Sequence, residues 1–467
     1  MGDQLVGALR EAITAGRLAP GTRLPSTRDL AADLGVSRGL VVGAYEQLAA
    51  EGRLVSRRGS GTVVAEVVAA VPRQRGDLVE RRTAVAPLRP GVPDLGAFPR
   101  TAWRRAYETA LTSALDADFD YGDATGVPRL RSELAGYLGR VRAALVPPEG
   151  LIVTAGVTQA LALLARVLLA RGTRRIALED PGPAALRDHL HRLGLDVVPV
   201  PVDADGVDVG ALSRTRARAV VLTPAHQFPT GVVLAPARRA EVIAWARRVD
   251  GLVVEDDYDA EYRYDREPVA CLQGLAPDHV ALVGSVSKVL APGLRLGWLA
   301  APTQWTPDLC AAKHDADNGG PALQQLAFAE FLAGGGYDRH LRRARRLHRE
   351  RRDAVVAALR RHLPRARIGG IAAGLHLVIE LPPGTDDVAV AERAATAGLG
   401  PLALSTLRMR KGGSCGLVLG YAAHPARAHD GGPQTGHADL TAPPAAKGAK
   451  KGAVFVVVRR RGGVGTG

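Results

Sequence analysis

The chain has 467 residues, 46% of them hydrophobic and 4% aromatic, with a formal net charge of +14 at pH 7, enough length for more than one domain with a full core. Its longest apolar run, Leu161 to Ala170, is broken by Arg166 and is too short to span a bilayer, and no basic segment followed by an apolar core opens the chain as a secretion signal would. Cys271, Cys310 and Cys415 are scattered singly, without metal-type or redox-type spacing, which fits a reducing cytoplasm.

In chain order, Leu5, Leu9 and Ile13 recur every four residues and predict a helix that stops near Gly16. A Pro20-to-Pro25 turn leads to Ser26, the N-cap of a helix over Thr27 to Leu34, which Gly35 breaks. Ser37 caps the next helix, which carries Val41, Ala44, Tyr45 and Leu48 and ends at Glu51-Gly52. Two short helices joined by a tight turn predict a helix-turn-helix whose second helix enters the major groove. Arg53 to Val64 reads as two short strands around Arg57-Arg58-Gly59-Ser60-Gly61, a wing.

The residues themselves carry more than the periodicity. Leu24-Pro25-Ser26-Thr27-Arg28-Asp29-Leu30-Ala31, Leu34-Gly35-Val36-Ser37-Arg38, Ala44-Tyr45-Glu46-Gln47-Leu48 and Gly59-Ser60-Gly61-Thr62 closely resemble the GntR-type winged helix. That resemblance implies DNA contacts from Arg28, Ser37 and Arg38, with Arg58 and Gly59 at the wing. Ser37 at a helix N-terminus suits a phosphate, and Arg38 reaches a phosphate or a guanine edge. Gly39, where the family often has a polar residue, offers no side chain for base reading.

Residues 66–88 have no sustained period and read as a linker. From Arg89 onward, apolar runs at Leu151–Val153, Ile176–Leu178, Val197–Val200, Ala219–Leu222, Leu252–Val254 and Val280–Val283 alternate with helical stretches. That alternation predicts an α/β domain with a mostly parallel sheet covered on both faces, and ligands in such sheets sit at the carboxyl ends of the strands. Farther on, the arginine-rich stretch Arg339 to Arg367 reads as the solvated face of a long helix.

Two strand ends carry chemistry. Val280–Val283 runs into Gly284-Ser285-Val286-Ser287-Lys288, with Arg295 behind a Pro292-Gly293 turn. Lysine is rare in this chain (Lys288, Lys313, Lys411, Lys447, Lys450 and Lys451), so a lysine at a strand end points to an amine that must lose its proton. Leu252–Val254 runs into Glu255-Asp256-Asp257-Tyr258, which offers an acid for a pyridine nitrogen and a phenol for a ring oxygen. Asp-x-Tyr followed by Ser-x-Ser-Lys-x6-Arg resembles the fold-type-I enzymes of pyridoxal 5′-phosphate (PLP), the aminotransferase group.

By that resemblance Lys288 is the Schiff-base lysine, Asp256 partners the ring nitrogen, Tyr258 the ring oxygen, and Ser285 and Arg295 hold the phosphate. Tyr121, in Tyr121-Gly122-Asp123-Ala124-Thr125-Gly126, resembles the tyrosine that reaches the phosphate of the partner subunit. Gly156, Val157 and Thr158 occupy the strand-to-helix turn that would cradle the phosphate with backbone N–H groups. His226-Gln227-Phe228-Pro229-Thr230-Gly231 resembles the loop passing the edge of the ring.

A GntR-type winged helix over residues 1–65, a linker and an aminotransferase-like domain over 89–425 together resemble the MocR subfamily of bacterial transcription regulators. The resemblance implies a homodimer that binds a double-stranded DNA operator and carries PLP as an internal aldimine. DNA binding would be tuned by PLP itself or by a small amine or amino acid that forms an external aldimine, with no metal and at most weak transaminase activity. Two other readings stay open: a working aminotransferase with a DNA-binding appendage, and a DNA-binding dimer whose second domain no longer binds PLP. Three departures bear on them. Pro183 stands where the family has a tyrosine stacked on the ring, and Ala155, Val157 and Thr158 replace Ser and Gln in the phosphate turn. After Tyr421-Ala422 a Gly/Pro/Ala/His-rich tail, 426–467, replaces the terminal helix and reads as disordered or as an altered reading frame.

Overall fold

A computed structural model describes residues 1–57, 61–66, 86–264 and 269–423. The chain divides into two compact units, Met1–Thr83 and Ala84–Gly467. In the first, helices α1 (Gly2–Thr14), α2 (Thr27–Leu34) and α3 (Arg38–Ala50) precede a hairpin of β1 (Leu54–Arg57) and β2 (Gly61–Val64), paired antiparallel from Leu54 opposite Val64 to Arg57 opposite Gly61. Ser26 caps α2 by accepting from the Asp29 N–H at 3.2 Å, and Gly35 ends it in the left-handed conformation at φ +63°, where glycine carries no Cβ penalty. Ile13, Leu24, Ala31, Val41, Tyr45, Leu48, Leu54 and Val64 form one small core. Arg10 of α1 grips Glu51 at the end of α3 through two hydrogen bonds, which closes the three helices around that core.

The second unit opens with α4 (Arg100–Ser113), α5 (Pro128–Arg142), β3 (Leu151–Thr154), α6 (Val157–Ala170), β4 (Arg175–Asp180) and α7 (Ala184–Arg192). It continues through β5 (Asp196–Asp203), β6 (Gly206–Val207), α8 (Val209–Arg214), β7 (Ala219–Leu222), α9 (Pro236–Val249), β8 (Leu252–Asp257), β9 (Val280–Ser285) and β10 (Gly297–Ala300). These strands make one sheet in the order β3-β10-β9-β8-β7-β4-β5-β6. Five of them, β5, β4, β7, β8 and β9, run parallel, whereas β10 is antiparallel to both β9 and β3. Successive residues alternate between the two faces: Leu178, Val221 and Val254 pack toward α6, and Ala177, Val220 and Val253 toward Trp245 of α9. Burial on both faces is why these strands read as unbroken apolar runs.

The chain then adds α10 (Thr306–Asp317), α11 (Ala322–Ala333) and α12 (Gly336–His362), followed by β11 (Arg367–Gly369), β12 (His376–Glu380), α13 (Asp387–Thr396), β13 (Leu402–Ala403) and β14 (Gly416–Gly420). The last four strands form an antiparallel sheet in the order β11-β12-β14-β13. Helix α12 ties the two sheets together, because Leu341 and Ala344 enter the core of the large sheet while Val356 and Leu359 enter that of the small one.

Most of the expected linker, 67–85, lies outside the described residues. Its last part does not hang free: Leu88 donates to the Leu399 carbonyl at 2.8 Å and accepts from the Gly420 N–H at 2.9 Å, so the second unit begins before Arg89. The atypical tail, 426–467, also falls outside the described residues.

Candidate functional site

In the first unit, Arg28, Ser37 and Arg38 are all exposed, at the start of α2 and α3. Ser37 accepts from the Leu40 N–H at 3.4 Å and so caps α3, leaving Arg38 as its first residue. The expected wing contacts Arg58 and Gly59 lie outside the described residues. The hydroxyl of Tyr45 donates 3.0 Å to the Pro25 carbonyl, which locks α3 against the turn that starts α2.

In the second unit, the parallel register sets Asp256 of β8 beside Val283 of β9, two residues before Ser285. Lys288 follows β9, and its amine donates to the Gly91 carbonyl at 2.6 Å. Burial pushes the Lys288 amine below its usual pKa, while Asp256 and then Asp259 oppose that shift. Asp256 is pushed up to about 7, chiefly by burial and then by Asp257, with Lys288 pulling the other way. Its Oδ1 is buried without a hydrogen-bond partner. A cationic ring nitrogen set against that oxygen would satisfy it and favour the charged carboxylate.

Tyr258 donates to the His226 carbonyl at 2.9 Å and lies 3.2 Å from His226 Nδ1. That ring nitrogen is also 2.9 Å from Asp259 Oδ2, so Asp259 and His226 set the direction of the Tyr258 hydroxyl. His376 of β12 completes the group, its ring 5.0 Å from that of His226 and its Nε2 3.1 Å from the Pro229 carbonyl. Burial, then His226, pushes the His376 imidazole down to about 3, which keeps it neutral. His226, Asp259 and His376 bring ligating atoms within 4.8 Å of one another, a donor set of the kind that takes a cation. In the structure these atoms are engaged with each other and with the backbone.

The expected phosphate end draws on three elements. Gly156 precedes α6 with φ +99°, and a Cβ there would sit 3.3 Å from Arg295 Nη1. Arg295 itself holds φ +48°, a left-handed conformation that is uncommon for a side-chain-bearing residue and aims the guanidinium across the start of α6. Ser285 is buried opposite Gly297, and Thr158 in the first turn of α6 is exposed. The unpaired N–H groups of a helix's first turn, a guanidinium and a hydroxyl together suit a phosphate dianion. Lys288, Asp256, Tyr258, Ser285, Arg295, Gly156, Val157 and Thr158 therefore all gather at the carboxyl edge of the large sheet.

Tyr121 does not join them within one chain: it is 80% exposed. Pro183 precedes α7, in a segment closed over by the small sheet's loop. There the Gly182 N–H donates to the Leu407 carbonyl at 2.9 Å, and Asp180 accepts from the Met409 and Arg410 N–H groups at 2.8 and 3.1 Å. Asp259, His376 and Gly91 carry no mark of their own in the sequence. No spacing marks them, since Asp259 is 33 residues from His226 in the chain and Lys288 is 197 from Gly91.

The comparisons with known proteins follow the same division. The family of bacterial regulatory proteins called gntR matches residues 2–64, and the aminotransferase class I and II family matches residues 91–396. The chain is 37% identical over 425 residues to the HTH-type pyridoxine biosynthesis transcriptional regulator PdxR of Corynebacterium glutamicum, covering 90% of this chain and 92% of that one. It is 34% identical over 449 residues to the probable rhizopine catabolism regulatory protein MocR of Rhizobium meliloti, covering 90% of each. Among solved structures, an archaeal alanine:glyoxylate aminotransferase superposes with a TM-score of 0.67 at 28% identity, over 73% of this chain and 86% of that one. The α-aminoadipate aminotransferase LysN of Thermus thermophilus, complexed with N-(5′-phosphopyridoxyl)-L-leucine, gives 0.65 at 28% identity, over 72% and 87%.

Proposed function

The chain belongs to the GntR-type transcription regulators of the MocR kind, with an aminotransferase class I and II domain behind the winged helix, and on that footing we propose that its second domain holds PLP at Lys288 and governs operator binding in response to PLP or to a small amine or amino acid. The observation that carries this reading is the buried, unpartnered Oδ1 of Asp256, one strand away from the run that ends in Lys288. When bound, PLP supplies an aldehyde that condenses with primary amines. The chain's own residues do the rest.

Lys288 offers an amine whose proton is easily lost, Asp256 holds the ring nitrogen, and Tyr258, steered by His226 and Asp259, reaches the ring oxygen. Arg295, Ser285 and the first turn of α6 hold the phosphate, with Tyr121 of the partner subunit in a homodimer. An incoming amine that competes with Lys288 frees the lysine, and the two states favour different arrangements of the protein. The winged helix contacts the operator through Arg28, Ser37 and Arg38, with Arg58 and Gly59 as the expected wing contacts, and a regulator of this kind works in the cytoplasm beside its DNA.

Pro183, in place of a stacking aromatic, favours a second reading in which the domain only dimerises. Reconstitution with PLP separates the two. A visible absorption band, and a pyridoxyl adduct mapped to the Lys288 peptide after borohydride reduction, are expected. Neither band nor adduct would leave the dimerising domain as the reading. Sustained keto-acid formation from an amino acid, lost in Lys288→Ala, would make the protein an aminotransferase instead.

A further inference from the structure

The arginines of α12 from Arg339 to Arg352 fall into two sets. Arg345 donates to the Glu261 carbonyl, Arg351 to Asp94 and the Ala422 carbonyl, and Arg352 to Asp353, so the fold uses these three. Arg339, Arg342, Arg343, Arg346 and Arg349 are exposed and form no ion pair or side-chain hydrogen bond among the described residues. At about 100° per residue they share an arc of roughly 120°, and at about 1.5 Å per residue they span some 15 Å of helix. Like charges three and four residues apart repel one another, and among the described residues no ion pair offsets the repulsion.

The face has limits that can be named. Asp338, at its start, is engaged with Arg140 of α5 at 3.0 Å. Beyond Arg349 the same face carries Glu350 and Asp353, four residues after Arg346 and Arg349 and in no ion pair with them among the described residues, so the run of cations ends there. Beside it, a groove of about 420 Å³ between α5 and α12 is lined by Arg140, Arg342 and Arg345, with Tyr137, Leu341 and Asp338. Within the groove Arg140 is held by Asp338 and Arg345 by the Glu261 carbonyl, so Arg342 is the cation that it shares with the exposed face. An area this long exceeds a single small anion, whereas duplex DNA presents one phosphate charge per ~1.7 Å of its axis.

We propose that this arginine face of α12 is a second DNA contact, made to the phosphate backbone of duplex outside the bases that the winged helix reads. The proposal rests on the chain being a DNA-binding regulator, and it adds a sequence-independent term to that binding. Guanidinium groups pair with phosphate oxygens through two parallel N–H donors, so the contact needs charge and reach but no base sequence.

The test uses the full-length protein and a long duplex of random sequence, with affinity measured over a series of KCl concentrations. Each lost phosphate contact flattens the plot of log affinity against log salt by about 0.9. The triple variant Arg342→Gln/Arg346→Gln/Arg349→Gln is expected to flatten it by roughly 2 to 3, and the matching triple Lys variant to retain most of the parent slope. A parent-like slope in the Gln variant overturns the proposal, as does equal flattening in the Gln and Lys variants. Binding of the face to polyglutamate with an unchanged DNA slope overturns it in favour of an acidic protein partner. Arg38→Ala, measured beside them, reads the winged helix: if it changes the slope and the Gln variant does not, only the α12 contact is lost, and the reverse result removes only the winged-helix contact.

Discussion

The amine of Lys288 donates a 2.6 Å hydrogen bond to the backbone carbonyl of Gly91, binding the residue after β9 to the segment through which the chain enters the second unit. Gly91 holds φ +76°, and a Cβ built on it would lie 3.3 Å from Lys288 Nζ. Alanine at this position is therefore strained and crowds the amine. Left-handed backbone costs a side-chain-bearing residue about 1–2 kcal/mol, so Gly91→Ala should weaken PLP capture by roughly tenfold while leaving Lys288 in place. Titration of the visible band measures this, and an unchanged dissociation constant would mean that Gly91 has no part in holding the lysine.

The protonation of Lys288 gives a second expectation. An amine attacks an aldehyde only in its neutral form, and burial lowers the pKa of this one from 10.5, so more of it is neutral near pH 8 than for a surface lysine. Asp256 opposes the shift by stabilising the ammonium. Asp256→Asn should therefore move the reactivity midpoint of Lys288 to still lower pH. Reductive methylation with formaldehyde, followed peptide by peptide across a pH series, reads this without the cofactor. A midpoint that rises in Asp256→Asn would show that Asp256 does not act on the amine.

Much of this was legible in the residues because it is local. Ser26, Gly35 and Ser37 mark helix ends by their own hydrogen bonds and backbone preference, and α2 spans Thr27–Leu34 as expected. Lys288, Asp256 and Tyr258 stand out because the ends of the parallel strands β8 and β9 share one edge of the sheet, and Arg295 reaches that edge just before antiparallel β10. Strand β10 was not legible, because it opens on Gly297 only a few residues after the Pro292-Gly293 turn. Nor was the pairing of Arg142 with Asp257, at 2.7 and 3.0 Å across 115 residues, because no local pattern distinguishes a buried arginine from the many on the surface. Asp259 and His376 escaped for the same reason: each acts through a partner that only the tertiary fold supplies.

Glu255 makes stability depend on pH. Its Oε2 accepts from the Leu272 and Gln273 N–H groups at 2.7 and 3.1 Å, its Oε1 has no partner, and the residue is wholly buried. Burial, then Asp257, raises its pKa from 4.5 to about 7. A folded pKa above the unfolded one means that the folded state binds the extra proton between those values. The stabilisation is therefore complete below pH 4.5 and is lost as pH rises through 7. A shift of this size corresponds to about 3 kcal/mol. Glu255→Gln, which stays neutral and keeps an acceptor for both N–H groups, should lower Tm less than the parent does between pH 5 and pH 8. Parallel Tm curves for the two proteins would rule out a titrating Glu255.

Gly39 offers the clearest separation of folding from DNA reading. It is the second residue of α3 and is exposed, and a Cβ there would meet nothing within 4 Å. Glycine inside a helix is less favourable than alanine by about 0.8–1 kcal/mol, so Gly39→Ala should raise the unfolding transition of the winged-helix unit, read by calorimetry of the full chain. Glycine makes no side-chain contact to a base, so affinity for a promoter fragment retained by the parent protein should stay within about threefold, less than 1 kcal/mol. If stability rises but affinity falls more than tenfold, the absence of a Cβ is itself the recognition feature, letting the start of α3 approach the DNA backbone more closely than any larger residue allows. If stability does not rise, the first turn of α3 is held by Ser37 and its surroundings rather than by its own helical preference.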